Sequence, residues 1–148
     1  MNFLLRLFRS KTSARVAEEE VSLNSGDLIT TLASGANLVD GTPTWEHAQN
    51  SKDDLSTMLR CCEAELETMT RTGFVAAPFY FERAAILYRK SKDFEREIEI
   101  CERYVSAVEK YYRSKTHQYG ADVRKGPRYQ AIQSRLVKAR VLRDKKPK

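Results

Sequence analysis

The sequence predicts an all-α protein, a small helical bundle that ends in a basic helix. From residue 51 onward, apolar residues recur with the spacing of amphipathic helices. Only six Gly and four Pro are present, and they cluster between the periodic segments. A hydrophobic fraction of 41% beside a charged fraction of 31% is typical of a globular chain with a polar surface. At 148 residues, one domain is expected.

The first clear helix is predicted to begin near Ser51. Ser51 is expected to cap it, with Asp53 and Asp54 in its first turn and Gly73 at its end. Its apolar stripe consists of Leu55, Met58, Leu59, Cys62, Leu66 and Met69. This spacing places the six side chains on one helix face.

Two further helices are separated only by residues 91–93. Pro78 suits the start of the first helix, and Ser91 or Asp93 can cap the second. The apolar positions are Phe81, Ala84, Ala85 and Tyr88 in the first helix, and Phe94, Ile98, Cys101, Val105, Val108 and Tyr112 in the second. Because the turn is so short, the two helices must fold back antiparallel.

Residues 78–111 resemble a tetratricopeptide repeat (TPR). The matching positions are Phe81, Ala85, Tyr88, Asp93, Phe94 and Ile98. Glu97 and Tyr104 replace the small residues of the motif, and Lys92 stands where glycine is usual. No second copy is found about 34 residues away. The resemblance implies a single degenerate TPR-like helical hairpin at the centre of the bundle, serving as a protein-interaction scaffold.

The C-terminal segment is predicted to end in a basic helix. Residues 114–126 are expected to form a loop, and Pro127 to start the helix. One helix face carries Tyr129, Ile132, Leu136 and Ala139, and the other faces carry Arg135, Lys138, Arg140 and Arg143. The helical domain is therefore expected to span residues 51–148.

The first fifty residues are predicted to form two less regular segments. Residues 1–15 form a short amphipathic basic segment whose apolar arc includes Phe3, Leu4, Leu7 and Phe8. This arc either docks on the body or on a partner, or makes weak contact with a membrane interface. Residues 16–50 are expected to be loop with a short helix between Asp27 and Leu38, anchored to the core by Trp45.

The net charge of +6 is unevenly distributed. Residues 1–15 hold four basic and no acidic side chains, residues 16–112 ten basic and eighteen acidic, and residues 113–148 twelve basic and two acidic. The basic end is expected to lie against the acidic middle of its own fold or of a second copy in a homo-oligomer. The alternative is that it binds nucleic acid or anionic lipid.

The sharpest candidate for a binding site is the basic corner before the last helix. Arg124, Lys125 and Arg128 surround a helix N-terminus that already carries partial positive charge. An external phosphate or carboxylate would offset this charge, with Tyr119 adding a ring or a hydroxyl and Arg135 further basic charge. The alternative is a solvated loop, or an internal pair with Asp122 or a Glu of the hairpin.

The sequence indicates no catalytic site, no metal site and no cofactor. Cys61, Cys62 and Cys101 form neither a disulfide framework nor a zinc motif, and are expected in the core of a protein from a reducing compartment. No secretory signal or membrane span is evident, so we expect a cytoplasmic protein that is membrane-peripheral at most.

These observations favour a non-catalytic protein–protein interaction module. Such an adaptor, regulator or inhibitor would bind a protein partner through the helical hairpin and the basic C-terminal helix. The alternative is a nucleic-acid-associated protein that uses the basic C-terminal third, where Lys and Arg would meet phosphates.

Overall fold

The computed structural model describes residues 24–114, 120–145 and 147, and most of these residues are helical. In chain order the helices are α1 (Ser25–Leu32), α2 (Thr44–Asn50), α3 (Leu55–Thr72), α4 (Phe79–Lys90), α5 (Phe94–Arg113) and α6 (Pro127–Asp144). A single 3-10 turn, Val123–Lys125, precedes α6. The predicted all-α bundle with a C-terminal helix is confirmed.

A minimal β-hairpin, which we did not predict, lies between α1 and α2. Strand β1 (Leu38–Val39) pairs antiparallel with β2 (Thr42–Pro43). The two residues between them, Asp40 and Gly41, have φ angles of 52° and 74°. Asp-Gly is a favoured pair for such a turn, because both positions need positive φ. The signal was therefore present in the sequence.

The start of α3 differs from the prediction by three residues. Asp54 caps the helix, since its Oδ1 accepts hydrogen bonds from the backbone N–H groups of Ser56 at 3.0 Å and Thr57 at 3.4 Å. Ser51 instead ends α2. The predicted end is confirmed: Gly73 adopts φ 75°, the left-handed conformation that glycine accepts most readily.

Helices α4 and α5 form the predicted hairpin. Asp93 caps α5 by accepting a hydrogen bond from Arg96 N–H at 3.2 Å, and Ser91 ends α4. Lys92 turns the chain with φ 57°. The predicted apolar face of α4 is buried, namely Phe81, Ala84, Ala85 and Tyr88.

The core lies where α6 packs on this hairpin. Tyr129 and Ile132 of α6 are buried, as predicted, and the rings of Tyr104 and Tyr129 lie 6.2 Å apart. On its other side, Tyr104 stacks against Phe81 at 4.6 Å. Its buried hydroxyl donates to the carbonyl of Ala76 at 2.8 Å. An aromatic column thus joins α4, α5 and α6.

The segment before α3 packs on that helix, but with shorter elements than predicted. The helix expected between Asp27 and Leu38 ends at Leu32, because Ser34 and Gly35 take positive φ angles of 51° and 77°. Arg71 of α3 donates to the carbonyl of Ala33 at 3.2 Å and so holds this turn in place.

The prediction that Trp45 anchors this segment to the core is wrong. Its side chain remains 37% exposed on α2. The six-membered part of its ring contacts α1 at Gly26, where an added Cβ would come within 2.8 Å of Trp45 Cζ2. The absence of a side chain at Gly26 is therefore what allows this contact.

Some predictions concern residues outside the described ranges. These are the apolar arc of Phe3, Leu4, Leu7 and Phe8, and the contribution of Tyr119. Among the helices that the structure describes, none offers a stretch long and apolar enough to cross a membrane.

Candidate functional site

The basic side chains of α6 face the acidic side chains of the α4–α5 hairpin. The ion pairs are Arg128–Glu82 at 2.7 Å, Arg135–Glu97 at 3.1 Å, Arg140–Glu102 at 2.7 Å and Arg143–Glu95 at 3.6 Å. Of the arrangements predicted for the basic end, the structure shows the one in which it lies against the acidic middle of its own fold.

Glu97 is the centre of this interface, and its side chain is completely buried. Nε of Arg89 on α4 donates to its Oε2 at 2.9 Å, and Nη1 of Arg135 on α6 donates to its Oε1 at 3.1 Å. Arg89 Nη2 also donates to the backbone carbonyl of Arg135 at 3.1 Å. A buried carboxylate needs such partners, and here they tie three helices together.

At the basic corner, Arg124 is engaged by the protein itself. Its Nε and Nη2 donate to the two oxygens of Asp122 at 3.0 and 2.8 Å, and Nη1 lies 3.8 Å from Glu109. The guanidinium also sits 4.2 Å above the ring of Tyr112. Hydrogen bonding to Arg124 lowers the pKa of Asp122 to about 2.

The other corner residues divide between paired and open. Arg128 pairs with Glu82 and lies 5.0 Å from the centre of the Phe79 ring. Lys125 is exposed and makes no ion pair with any residue that the structure describes. An external anion at Arg124 or Arg128 would have to displace an internal carboxylate, and its binding remains a prediction.

The outer face of α6 is different in character, and sequence reasoning missed it. Val137 is 62% exposed and Val141 is 41% exposed, one helical turn apart. Lys138 and Lys145 adjoin them, and neither makes an ion pair within the described ranges. The sequence signal for this face was the presence of two valines, at positions i and i+4, outside the predicted apolar face of α6. This valine–lysine face is an apolar strip with a basic rim.

The described side chains form no cluster of three His, Cys, Asp or Glu residues that could hold a metal ion. Comparisons of this chain with protein-family models, with curated proteins and with solved structures find no significant match. The function is therefore inferred from the geometry of the residues themselves.

Proposed function

We propose that this chain is a non-catalytic protein-interaction module, an adaptor, regulator or inhibitor, that binds a protein partner through the valine–lysine face of α6. The observation that supports this most strongly is the contrast between the two sides of α6. On the inner side, Arg128, Arg135 and Arg140 are paired with hairpin acids. On the outer side, two valines and two lysines remain open to other molecules.

The chemistry of the face indicates the kind of partner. Val137 and Val141 offer an apolar anchor, which in an interface contributes most when water is excluded around it. Lys138 and Lys145 on the rim favour acidic side chains opposite them and disfavour basic ones. The partner surface that fits is an amphipathic segment with apolar residues flanked by Asp or Glu. A TPR-like hairpin behind α6 would serve as the rigid support.

The three cysteines are free thiols, which supports a reducing compartment such as the cytoplasm as the place of action. The proposal does not depend on this location.

The test is affinity capture of the tagged chain from its native cells, with and without nuclease treatment, comparing two double variants. Val137→Ser with Val141→Ser removes the apolar anchor without touching the core. Leu28→Ser with Leu32→Ser is the matched control, because these leucines are also exposed and one turn apart, on α1. We expect the wild type and the α1 variant each to capture one protein in stoichiometric amount. The α6 variant should capture at least tenfold less of that protein.

Two results would contradict the proposal. If only the α1 variant failed to capture the protein, the binding site would lie on α1 and not on α6. Recovery of only nuclease-sensitive material would favour the alternative, nucleic-acid binding, in which Arg124 and Arg128 exchange their internal acids for phosphates.

A further inference from the structure

A cavity of about 260 Å³ lies between the segment that contains α1 and α2 and the helices α3 and α4. Its walls combine three aromatic residues, Trp45, Phe74 and Tyr80, with four polar ones, Asn37, Thr44, Glu65 and Thr68. Sites for drug-sized ligands measure roughly 300–1,000 Å³, so this cavity suits a smaller molecule or a single side chain. Two of the residues that line it, Asn37 and Thr68, each carry a buried polar atom with no hydrogen-bond partner in the described part of the chain.

The first such atom is the side-chain oxygen of Asn37, a residue that is only 1% exposed. Asn37 Nδ2 donates to Thr30 Oγ1 at 2.8 Å, and Thr30 Oγ1 donates its single proton to the carbonyl of Gly26 at 3.1 Å. In this arrangement Thr30 accepts from Asn37, so the amide nitrogen and not its oxygen faces Thr30. Asn37 Oδ1 is left as an acceptor with no partner among the described residues.

The second atom is the hydroxyl of Thr68, which is 94% buried. Other helical threonines of this chain bond back to the carbonyl four residues earlier: Thr70 to Leu66 at 3.1 Å, and Thr72 to Thr68 at 2.7 Å. The Thr68 hydroxyl makes no hydrogen bond within the described part of the chain. Leaving a buried hydroxyl unpaired costs free energy, so a ligand that satisfies it gains affinity.

Glu65 adds a carboxylate without a cation. Its Oε1 accepts from the Thr44 hydroxyl at 2.8 Å, and its Oε2 from Ala77 N–H at 3.0 Å. No basic side chain of the described residues lies within ion-pair distance of it. Burial raises the pKa of this carboxyl despite the two hydrogen bonds. This half-buried carboxyl has hydrogen-bond donors beside it but no counter-ion, and a positive ligand would favour its charged form.

The aromatic residues suit the same type of ligand. The rings of Trp45, Phe74 and Tyr80 give the remaining wall an apolar surface, and the faces of aromatic rings attract cations. An alkyl chain or ring attached to a cationic head group would bury its apolar part against these residues.

We propose that this cavity binds a primary ammonium group, with Asn37 Oδ1, the Thr68 hydroxyl and the Glu65 carboxylate as acceptors for its three N–H donors. Ammonium supplies three donors and no acceptor, which matches this set of acceptors. The group belongs either to a small free amine or to a lysine side chain of another molecule. The inference goes beyond the proposed function, because none of its residues lies on α6.

The test titrates the full chain with 3-methylbutylammonium and with its neutral analogue 3-methylbutanol, following the indole signal of the single tryptophan, Trp45. We expect the amine to shift this signal and to bind at least tenfold more tightly than the alcohol, because hydrogen bonds to a charged group are the stronger ones. A quaternary analogue, which has no N–H donor, should bind more weakly than the primary amine.

Variants assign the contacts. Glu65→Gln removes the charge and should weaken amine binding about tenfold or more. Thr68→Val keeps the shape, removes the unpaired hydroxyl and should weaken binding several-fold in a protein that is at least as stable. Glu67→Gln is the matched control on the exposed face of α3 and should bind as the wild type does. The valine variants of α6 should also bind the amine normally.

The possible results separate clearly. Three results would overturn the proposal and leave a cavity that holds solvent only. They are equal affinity for the amine and the alcohol, unchanged amine affinity in both cavity variants, and no shift of the Trp45 signal. Binding of the free amine but not of Nα-acetyl-lysine methylamide would assign the ligand to small amines. The reverse preference would assign it to a lysine side chain.

Discussion

The carboxylate of Glu97 and the guanidinium of Arg135 meet at 3.1 Å across the interface of α5 and α6, and no part of the Glu97 side chain is exposed. This contact explains how a helix rich in basic residues is held on the acidic hairpin. Arg89 shares the same carboxylate from the other side, at 2.8 Å. Removing Glu97 leaves two largely buried guanidinium groups without their shared acceptor, and such a loss costs more free energy than the ion pair itself contributes.

Glu97→Ala is therefore expected to lower the free energy of unfolding by about 3–5 kcal/mol, because Arg89 and Arg135 lose their shared acceptor. Arg135→Leu should cost less, since Arg89 still neutralises the carboxylate. Denaturant unfolding followed by circular dichroism measures both effects. The control is Glu99→Ala on the same helix, where the side chain is exposed and a change within about 0.5 kcal/mol is expected. Equal losses for Glu97→Ala and Glu99→Ala would show that the buried triad does not hold the helices.

The basic corner predicts an acid-dependent contribution to stability. The pKa of Asp122 is lowered to about 2 from an ordinary value of 3.8. Its carboxylate therefore stabilises the folded state above pH 3.8, and this contribution disappears as the pH falls through about 2. The difference in unfolding free energy between the wild type and Asp122→Asn should narrow over this interval.

In an Arg124→Leu background the same comparison should lose most of its pH dependence over this interval, because the guanidinium is the largest cause of the lowered pKa, while the backbone N–H of residue 124 and Lys125 still contribute. A pH dependence that persists without Arg124 would assign the effect to another group.

The three thiols should resist alkylation in the folded protein. Burial raises the pKa of Cys61 to about 11 and that of Cys101 to about 12, and it raises the pKa of Cys62 as well. The thiolate is the nucleophile, so little reactive form is present near neutral pH. Mass spectrometry after iodoacetamide treatment should show no rapid labelling of the native chain and three labels in denaturant. Rapid labelling of a native thiol would show that one of these helices opens readily.

The turn of the hairpin predicts a stabilising substitution. Lys92 holds φ 57°, which costs a residue with a side chain roughly 1–2 kcal/mol. Lys92→Gly should relieve this strain. Because glycine loses more conformational entropy on folding, the net increase in the free energy of unfolding should be at most about 1 kcal/mol. Lys90→Gly, two residues earlier at the last residue of α4, relieves no strain and should instead lower it by up to about 0.5 kcal/mol. A loss for both variants would mean that the lysine side chain stabilises the turn.

The helices could be predicted because their signals are local. The stripe through Met58 and Cys62 gives α3, and the short break at Lys92 requires the hairpin whatever else the chain does. Caps were harder to place, since Ser51 and Asp54 are both good capping residues and only the packing decides between them.

The candidate sites were less predictable because their residues come from separate elements. Glu97 lies beside the predicted apolar stripe of α5, one turn before Cys101, but its burial becomes evident only when Arg89 and Arg135 are seen to converge on it. The unpaired atoms of Asn37 and Thr68 likewise depend on which neighbours are missing, which periodicity does not encode.

The most direct test of the proposed interaction is site-specific photo-crosslinking in native cells, with a photoreactive residue placed at Val141 in one variant and at Leu32 in another. Both positions are exposed, so a difference between them reports on binding and not on accessibility. The account predicts one discrete protein adduct from Val141 and none from Leu32. Adducts to nucleic acid from Val141, or the same protein adduct from both positions, would contradict it.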